Sequence, residues 1–260
     1  MKIGIFDSGM GGLCVLHHAK KMIPHAEFIY YADEKHVPYG EKTEAQVRGF
    51  IEEILGFMIA QGVDAVVIAC NTATSVATME FREQFPVAIV GMEPAAKKAI
   101  EMYRDSGKRV LVAATPITIA GRKLNSLLEQ VDKDHIVDKI ALPKLVRFAE
   151  RGEFFSEDVE AYLREELGKL ELDQYAALVL GCTHFNYFKE CFQRVFPGVI
   201  HFVDGNEGTV RQLLRVIPTV QNPAQKQTVS YYFSGEPVNE EETARINVYL
   251  KRLEEVYPIS

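Results

Sequence analysis

The sequence predicts an α/β protein: two pseudo-symmetric open α/β domains with mainly parallel sheets and an active site in the interdomain cleft. Three observations predict it. Short β-branched runs alternate with helical stretches along the chain, the pattern of βα units on a parallel sheet. An apolar strand that ends in cysteine, Ala65-Val66-Val67-Ile68-Ala69-Cys70-Asn71-Thr72, comes again as Ala177-Leu178-Val179-Leu180-Gly181-Cys182-Thr183-His184. Aligned on their first strands, Lys2-Ile3-Gly4-Ile5-Phe6-Asp7-Ser8-Gly9 lies over Arg109-Val110-Leu111-Val112-Ala113-Ala114-Thr115-Pro116, so Ser8 matches Thr115 and similar intervals separate hydroxyl from cysteine in both halves.

Taken in order, the apolar runs predict strands over 2–6, 27–31, 64–69, 87–90, 109–113, 136–140, 176–180 and 199–203. Helices are expected over 11–22, 43–61, 73–84, 94–106, 118–130, 143–150, 156–168, 185–195, 207–216 and 239–256. Nothing is low-complexity, and no Pro, Gly and Ser-rich linker marks a boundary. The expected division is 1–96 plus 208–260 as the first domain, with the C-terminal helix returning to it, and 97–207 as the second. The carboxyl ends of both sheets then face one cleft, where open α/β sheets place ligands.

The 260 residues are 47% hydrophobic, enough for a full core, and the net charge is −7. That charge offers no positive field to a polynucleotide, so no nucleic-acid partner is expected. Met1-Lys2-Ile3-Gly4-Ile5-Phe6 turns polar at Asp7 before a signal h-region forms, and no apolar run is long enough to span a bilayer. A cytoplasmic location without a membrane partner is expected. The 4 cysteines are then reduced, and any special role must come from thiol chemistry.

A lone cysteine at a strand end is usually packing. Two at equivalent ends, each followed by hydroxyl and amide or imidazole groups, point instead to two matched sulfur bases. Cys14, on an apolar helix face, and Cys191, in the Phe188–Val195 stretch, lack such neighbours and read as structural. Gly9-Met10-Gly11-Gly12 after the first strand matches neither a P-loop nor a dinucleotide fingerprint, but glycines there could aim backbone N–H groups at an anion. Asp7 beside such a site must be protonated, paired or working on protons. A metal on Cys70, Cys182 and His184 is short of a structural zinc set, with no Cys-x-x-Cys present. A Cys-His hydrolase built on Cys182 and His184 explains one cysteine and leaves the other idle. A non-catalytic bilobal amino-acid-binding protein needs neither.

The residues also carry a family resemblance. Phe6-Asp7-Ser8-Gly9-Met10-Gly11-Gly12-Leu13, Val37-Pro38-Tyr39-Gly40-Glu41-Lys42, Ile68-Ala69-Cys70-Asn71-Thr72-Ala73-Thr74, Ala114-Thr115-Pro116 and Gly181-Cys182-Thr183-His184-Phe185 resemble the cofactor-independent aspartate/glutamate racemases, from residue 3 to about residue 215. The Asn-Thr-Ala-Thr and Cys-Thr-His endings favour the glutamate racemases over the aspartate-type relatives, and an aspartate or broader amino-acid racemase is the nearest alternative. The resemblance implies Cys70 and Cys182 as catalytic acid/bases, with Asp7, Glu150 and His184 as auxiliary acids. It implies Asp7, Ser8, Pro38, Tyr39, Gly40, Asn71, Thr72, Thr183 and His184, with Thr115 and Thr118, around a glutamate substrate. It further implies no cofactor, no metal, a homodimer, and a role in supplying D-glutamate for peptidoglycan. It breaks at Asn186, where relatives carry proline, at Gly205, where serine is common, and at Leu142, where cysteine is frequent.

Racemisation fits these residues on physical grounds. Inverting Cα requires removing a proton on one face and delivering another on the opposite face, which two antipodal groups can do. Cysteine, with a reference pKa near 8.5, can serve as either base or acid when a neighbour holds one thiol ionised.

Overall fold

A computed structural model describes residues 1–93, 95–217 and 226–258. Position 94, the first of the helix expected over 94–106, and parts of the 208–260 segment lie outside them. The strands are β1 Lys2–Asp7, β2 Glu27–Ala32, β3 Ala65–Ile68, β4 Ala88–Gly91, β5 Arg109–Ala114, β6 Val137–Ala141, β7 Tyr175–Leu180, β8 His201–Val203, β9 Thr228–Phe233 and β10 Glu236–Pro237. In chain order the helices begin with α1 Leu13–Met22, α2 Glu44–Ala60, α3 Asn71–Val76, α4 Met79–Arg82, α5 Ala95–Tyr103 and α6 Pro116–Ala120. They continue with α7 Arg122–Val131, α8 Lys144–Glu150, α9 Glu157–Leu167, α10 Lys189–Val195, α11 Asn206–Val216 and α12 Glu240–Val256.

Two sheets form, as expected. The first runs β10-β9-β2-β1-β3-β4 and the second β6-β5-β7-β8. Every pairing is parallel except β9 with β10. The order β2-β1-β3-β4 therefore repeats as β6-β5-β7-β8, with β1 and β5 in equivalent places. The equivalence reaches single bonds: Ala69 N donates to Phe6 O at 2.8 Å, and Gly181 N donates to Ala113 O at 2.8 Å. Cys70 and Cys182 are the next residues in each half. Strands buried on both faces read as continuous apolar runs, and Ala65, Val66, Val67 and Ile68 are all fully buried.

Several expectations change. The helix expected over 73–84 is two, because Thr78 restarts the chain as an N-cap, accepting from Phe81 N at 3.3 Å. The helix expected over 118–130 starts earlier, at Pro116 behind the Thr115 N-cap, and restarts at Gly121. That over 185–195 opens as a 3-10 turn, Thr183–Phe188, before α10. The hairpin β9–β10 was not anticipated. β9 adds to the edge of β2 in parallel register, Glu27 opposite Thr228 and Ala32 opposite Phe233.

The chain passes between the sheets at β4–α5 and β8–α11, and these crossings touch. Glu93 N donates to Thr209 Oγ1 at 2.9 Å, and a carbon added at Gly205 would lie 2.3 Å from the Glu93 carbonyl oxygen. α1 packs on α11, α12 and the Thr183–Phe188 turn, which brings the first half's opening helix against the second half's cysteine turn.

Candidate active site

The turns at the carboxyl ends of β1, β3, β5 and β7 carry most of the predicted residues. Cys70 is 5% exposed and Cys182 6%, so both thiols are nearly withdrawn from water. Cys70 caps α3, its sulfur accepting from Ala73 N at 3.4 Å, and its thiol donates to Ser8 Oγ at 3.8 Å. Cys182 lies 3.8 Å from His184 Nδ1, and the other ring nitrogen of His184 holds Glu150 Oε1 in a short contact. Glu150 also accepts from Met10 N at 2.8 Å. Asp7 is fully buried between the thiol turns: Gly9 N donates to it at 3.0 Å and Thr183 Oγ1 at 3.1 Å.

A run of hydroxyls completes the group. Thr72 and Thr115 share a hydrogen bond of 2.9 Å, and Thr115 Oγ1 donates to Thr118 Oγ1 at 3.0 Å. Gly40 abuts this run, since a carbon added there would lie 3.0 Å from Thr115 Cβ. Asn71, Thr118 and Gly181 line a cavity of about 60 Å³ beside the hydroxyls. Pro38 and Glu150 line an open cleft of about 410 Å³ with Val37, Val146 and Arg147. The hydroxyl of Tyr39 is turned to Asp33, to which it donates at 2.5 Å.

The glycine-rich turn differs from its expected use. Its N–H groups at positions 9 and 10 meet the protein's own carboxylates, Asp7 and Glu150, and its carbonyls at 9 and 10 accept from Tyr30 and Tyr187 at 2.7 Å each. The glycines serve close approach: a carbon added at Gly11 would lie 2.4 Å from His184 Nδ1 and 2.5 Å from Thr183 Oγ1.

The electrostatics separate the two thiols' surroundings. Burial pushes the Cys70 thiol up, a charge on Asp7 adds to the push, and the Ala73 N–H and Ser8 oppose it. Burial likewise raises Asp7, against the cation on His184 and the Gly9 N–H. Burial works to lower His184, yet its hydrogen bonds to Cys182 and Glu150 outweigh that, and the ring sits well above the usual histidine range. The directions are opposite in consequence: burial favours the neutral thiol at Cys70, and hydrogen bonding favours the charged ring of His184 beside Cys182. Asp7 acts on the Cys70 thiol and accepts from Thr183 beside Cys182, so the two thiol turns are neighbours joined through one carboxyl.

Comparison with known proteins gives the chain a family. The profile of the Asp/Glu/hydantoin racemases matches residues 14–213. The glutamate racemase of Campylobacter curvus is 48% identical over the full length of both chains, and glutamate racemase 2 of Bacillus subtilis is 42% identical over 98% of this chain and 96% of its own. The chain belongs to the Asp/Glu/hydantoin racemase family. Among solved structures, the racemase fold is that of glutamate racemase from Campylobacter jejuni, at a TM-score of 0.82 and 28% identity, covering 96% of this chain and 98% of that one. Glutamate racemase from Thermus thermophilus, in complex with beta-chloro-D-alanine, superposes at 0.73 with 32% identity, over 97% and 92% of the two chains. The protein is thus an isomerase of this racemase family. No helix among the described residues is long and apolar enough to cross a membrane, and no group of histidine, cysteine and carboxylate side chains there could hold a metal ion.

Residues missed from sequence also belong to the site's frame. Asp33, 2% exposed, accepts from Tyr39 and from Ser234 Oγ at 3.1 Å and pairs with His36 at 2.9 Å. Tyr249 donates to the carbonyls of Ala149 and Glu150 at 2.7 and 2.9 Å. Asp33, just past an aromatic strand and shortly before Pro38-Tyr39-Gly40, carried a readable signal; Tyr249, a helical tyrosine far along the chain, carried none.

Proposed function

We propose that the protein interconverts L- and D-glutamate by proton transfer at Cα between Cys70 and Cys182, and supplies D-glutamate for peptidoglycan. The observation that carries this reading is the pair of buried thiols at equivalent strand ends of two repeated sheets, each with its own proton partner. Cys182 has His184 and Glu150; Cys70 has Ser8, with Asp7 close by. The glutamate specificity rests on the names of the similar proteins from Campylobacter curvus and Bacillus subtilis.

In this reading the enzyme meets L-glutamate with Cys70 protonated and Cys182 as the base. Cys182 takes the Cα proton, Cys70 delivers its own proton to the opposite face, and D-glutamate leaves with the protonation states exchanged. The reverse reaction starts from the exchanged state. Between the two transfers the charge at Cα is stabilised through the substrate carboxylate by hydrogen-bond donors around Ser8, Asn71, Thr72 and Thr183. Tyr39, Gly40, Thr115 and Thr118 shape the end that reads side-chain length.

Purified protein without added cofactor, incubated with L-glutamate and separately with L-aspartate, should lose optical rotation with glutamate. Rotation that persists with both ends the reading. Cys70→Ala and Cys182→Ala should each abolish racemisation in both directions. In deuterated water, Cys182→Ala should exchange the Cα proton of D-glutamate only, and Cys70→Ala that of L-glutamate only. A variant that still racemises, or exchanges the isomer assigned to its missing thiol, disproves the two-base assignment.

A further inference from the structure

A buried polar cluster behind the Cys182 turn has no part in the proton transfers described above. Asn186 is 1% exposed, Asn206 0% and Cys14 0%; they come from the 3-10 turn after Cys182, from the first residue of α11 and from α1. Asn186 Nδ2 donates to the Thr183 carbonyl at 3.0 Å and reaches Cys14 Sγ at 3.8 Å. Asn186 Oδ1 accepts from Asn206 Nδ2 at 3.4 Å, and that nitrogen also donates to Tyr257 OH at 3.1 Å. Asn206 Oδ1 in turn accepts from Cys14 Sγ at 3.2 Å. Tyr257 OH closes the cluster by donating to the Cys14 carbonyl at 3.4 Å.

Each amide therefore spends both N–H bonds and its oxygen inside the protein, which leaves one orientation of each side chain that satisfies every group. Apolar side chains of similar size would fill this space without the desolvation cost of two amides. What the amides add is direction. Thr183 is clamped from both ends, its hydroxyl on Asp7 at 3.1 Å and its carbonyl under Asn186, and the next residue is His184. The cluster's bonds end on Thr183, Cys14 and Tyr257, so it acts on one thiol's turn.

We propose that Asn186, oriented by Asn206, is a positioning residue for the Cys182 half of the reaction, keeping the Thr183–His184 turn at the geometry in which His184 serves Cys182. This rests on the reading that Cys182 takes the proton from L-glutamate. Slowing the Cys182 step must lower kcat/KM equally in both directions, because the equilibrium constant is unchanged. It leaves an asymmetric mark on primary isotope effects. Abstraction of deuterium from L-glutamate becomes more rate-limiting, and abstraction from D-glutamate by Cys70 becomes less so.

The test uses Asn186→Asp, which removes the donor to Thr183 at constant size, and Asn206→Leu, which removes its support without touching the turn. Kinetics with L- and D-glutamate, protiated and deuterated at Cα, should show kcat/KM down ~10-fold. KM should stay within about twofold, and the isotope effect should rise for the L isomer and fall for the D isomer. If Asn186→Asp does not fold, Asn206→Leu decides by the same measurement. Isotope effects that are unchanged, or that move together for the two isomers, overturn the proposal. The wild-type protein tests the underlying reading separately, through racemisation itself and the isomer-specific exchange of the two cysteine variants.

Discussion

Glu150 holds the outer nitrogen of His184 across a separation that the sequence does not reveal, since a helix end and the imidazole it bonds lie 34 residues apart. The hydrogen bonds that raise His184 come from Cys182 and Glu150, so replacing Glu150 with Gln removes one of them. A pH profile of kcat/KM should be bell-shaped in the wild type, its limbs belonging to the coupled thiol and imidazole groups. Glu150→Gln should move the basic limb to lower pH; an unmoved limb would mean that His184 does not carry it. Asp7 offers a stability test of the same electrostatics. Its folded pKa is raised from 3.8 by burial, so the folded chain holds this proton more tightly than the unfolded one. The contribution is intact at low pH and is lost as pH rises from about 4 through the folded value. Asp7→Asn lacks that titration, so its melting temperature should gain on the wild type as pH rises from 4 to 8, even though racemisation suffers. A difference between the two proteins that stays constant with pH would contradict the buried, raised carboxyl.

Among the elements, the strand-end turns work because small residues let them meet. Gly11 allows Thr183 and His184 to approach the β1–α1 turn, and Gly181 allows β7 to lie against the Ala113 carbonyl, 2.9 Å from where its side chain would begin. The crossing between sheets depends on the same device. Gly205 has an ordinary φ of −95°, so conformational freedom is not what it supplies. It supplies room, because a carbon there would lie 2.3 Å from a backbone oxygen of the opposite crossing. Gly205→Ser should force the crossings apart and lower stability by about 1–3 kcal/mol, the cost of overpacking. Denaturant unfolding measures it, and a midpoint equal to that of the wild type would show that the crossings yield freely. By contrast, the bidentate pair of Arg147 with Glu41, at 2.9 and 2.6 Å, is solvent-exposed, so water screens it and it adds little to the hold between the two halves.

Across the whole molecule, the C-terminal segment ties the far end of the chain to the site. β9 extends the first sheet, while α12 buries Ile246, Tyr249, Leu253 and Val256 and carries Tyr249 to the end of α8. There the phenol sits edge-on to Phe154 and Tyr187, with centroids 5.3 and 5.4 Å away, and binds the carbonyls of Ala149 and Glu150. Tyr249→Phe keeps the ring and removes both bonds. It should cost about 1–2 kcal/mol of stability and lower kcat through Glu150, read by thermal unfolding and by racemisation. Full activity at reduced stability would limit α12 to a structural role.

Chemistry that depends on local order was legible in the sequence. A strand must end where its apolar run ends, so Cys70 and Cys182 could be placed at equivalent strand ends, and Ser8 and Thr115 after equivalent first strands. The repeated strand order bears this out. Composition and alternation were enough for the parallel α/β class. What sequence could not show is which distant groups share a hydrogen bond. Asp33 beneath Tyr39, Glu150 behind His184, Asn186 against Asn206 and Tyr249 under α8 are pairs made by packing, and hydrogen bonds act over about 3 Å whatever the separation along the chain. The glycine-rich turn is the clearest case. Its residue types allowed an anion, and only the tertiary structure decided that its N–H groups at positions 9 and 10 meet the protein's own carboxyl groups, Asp7 and Glu150, because buried carboxyl oxygens require donors and these N–H groups lie within reach.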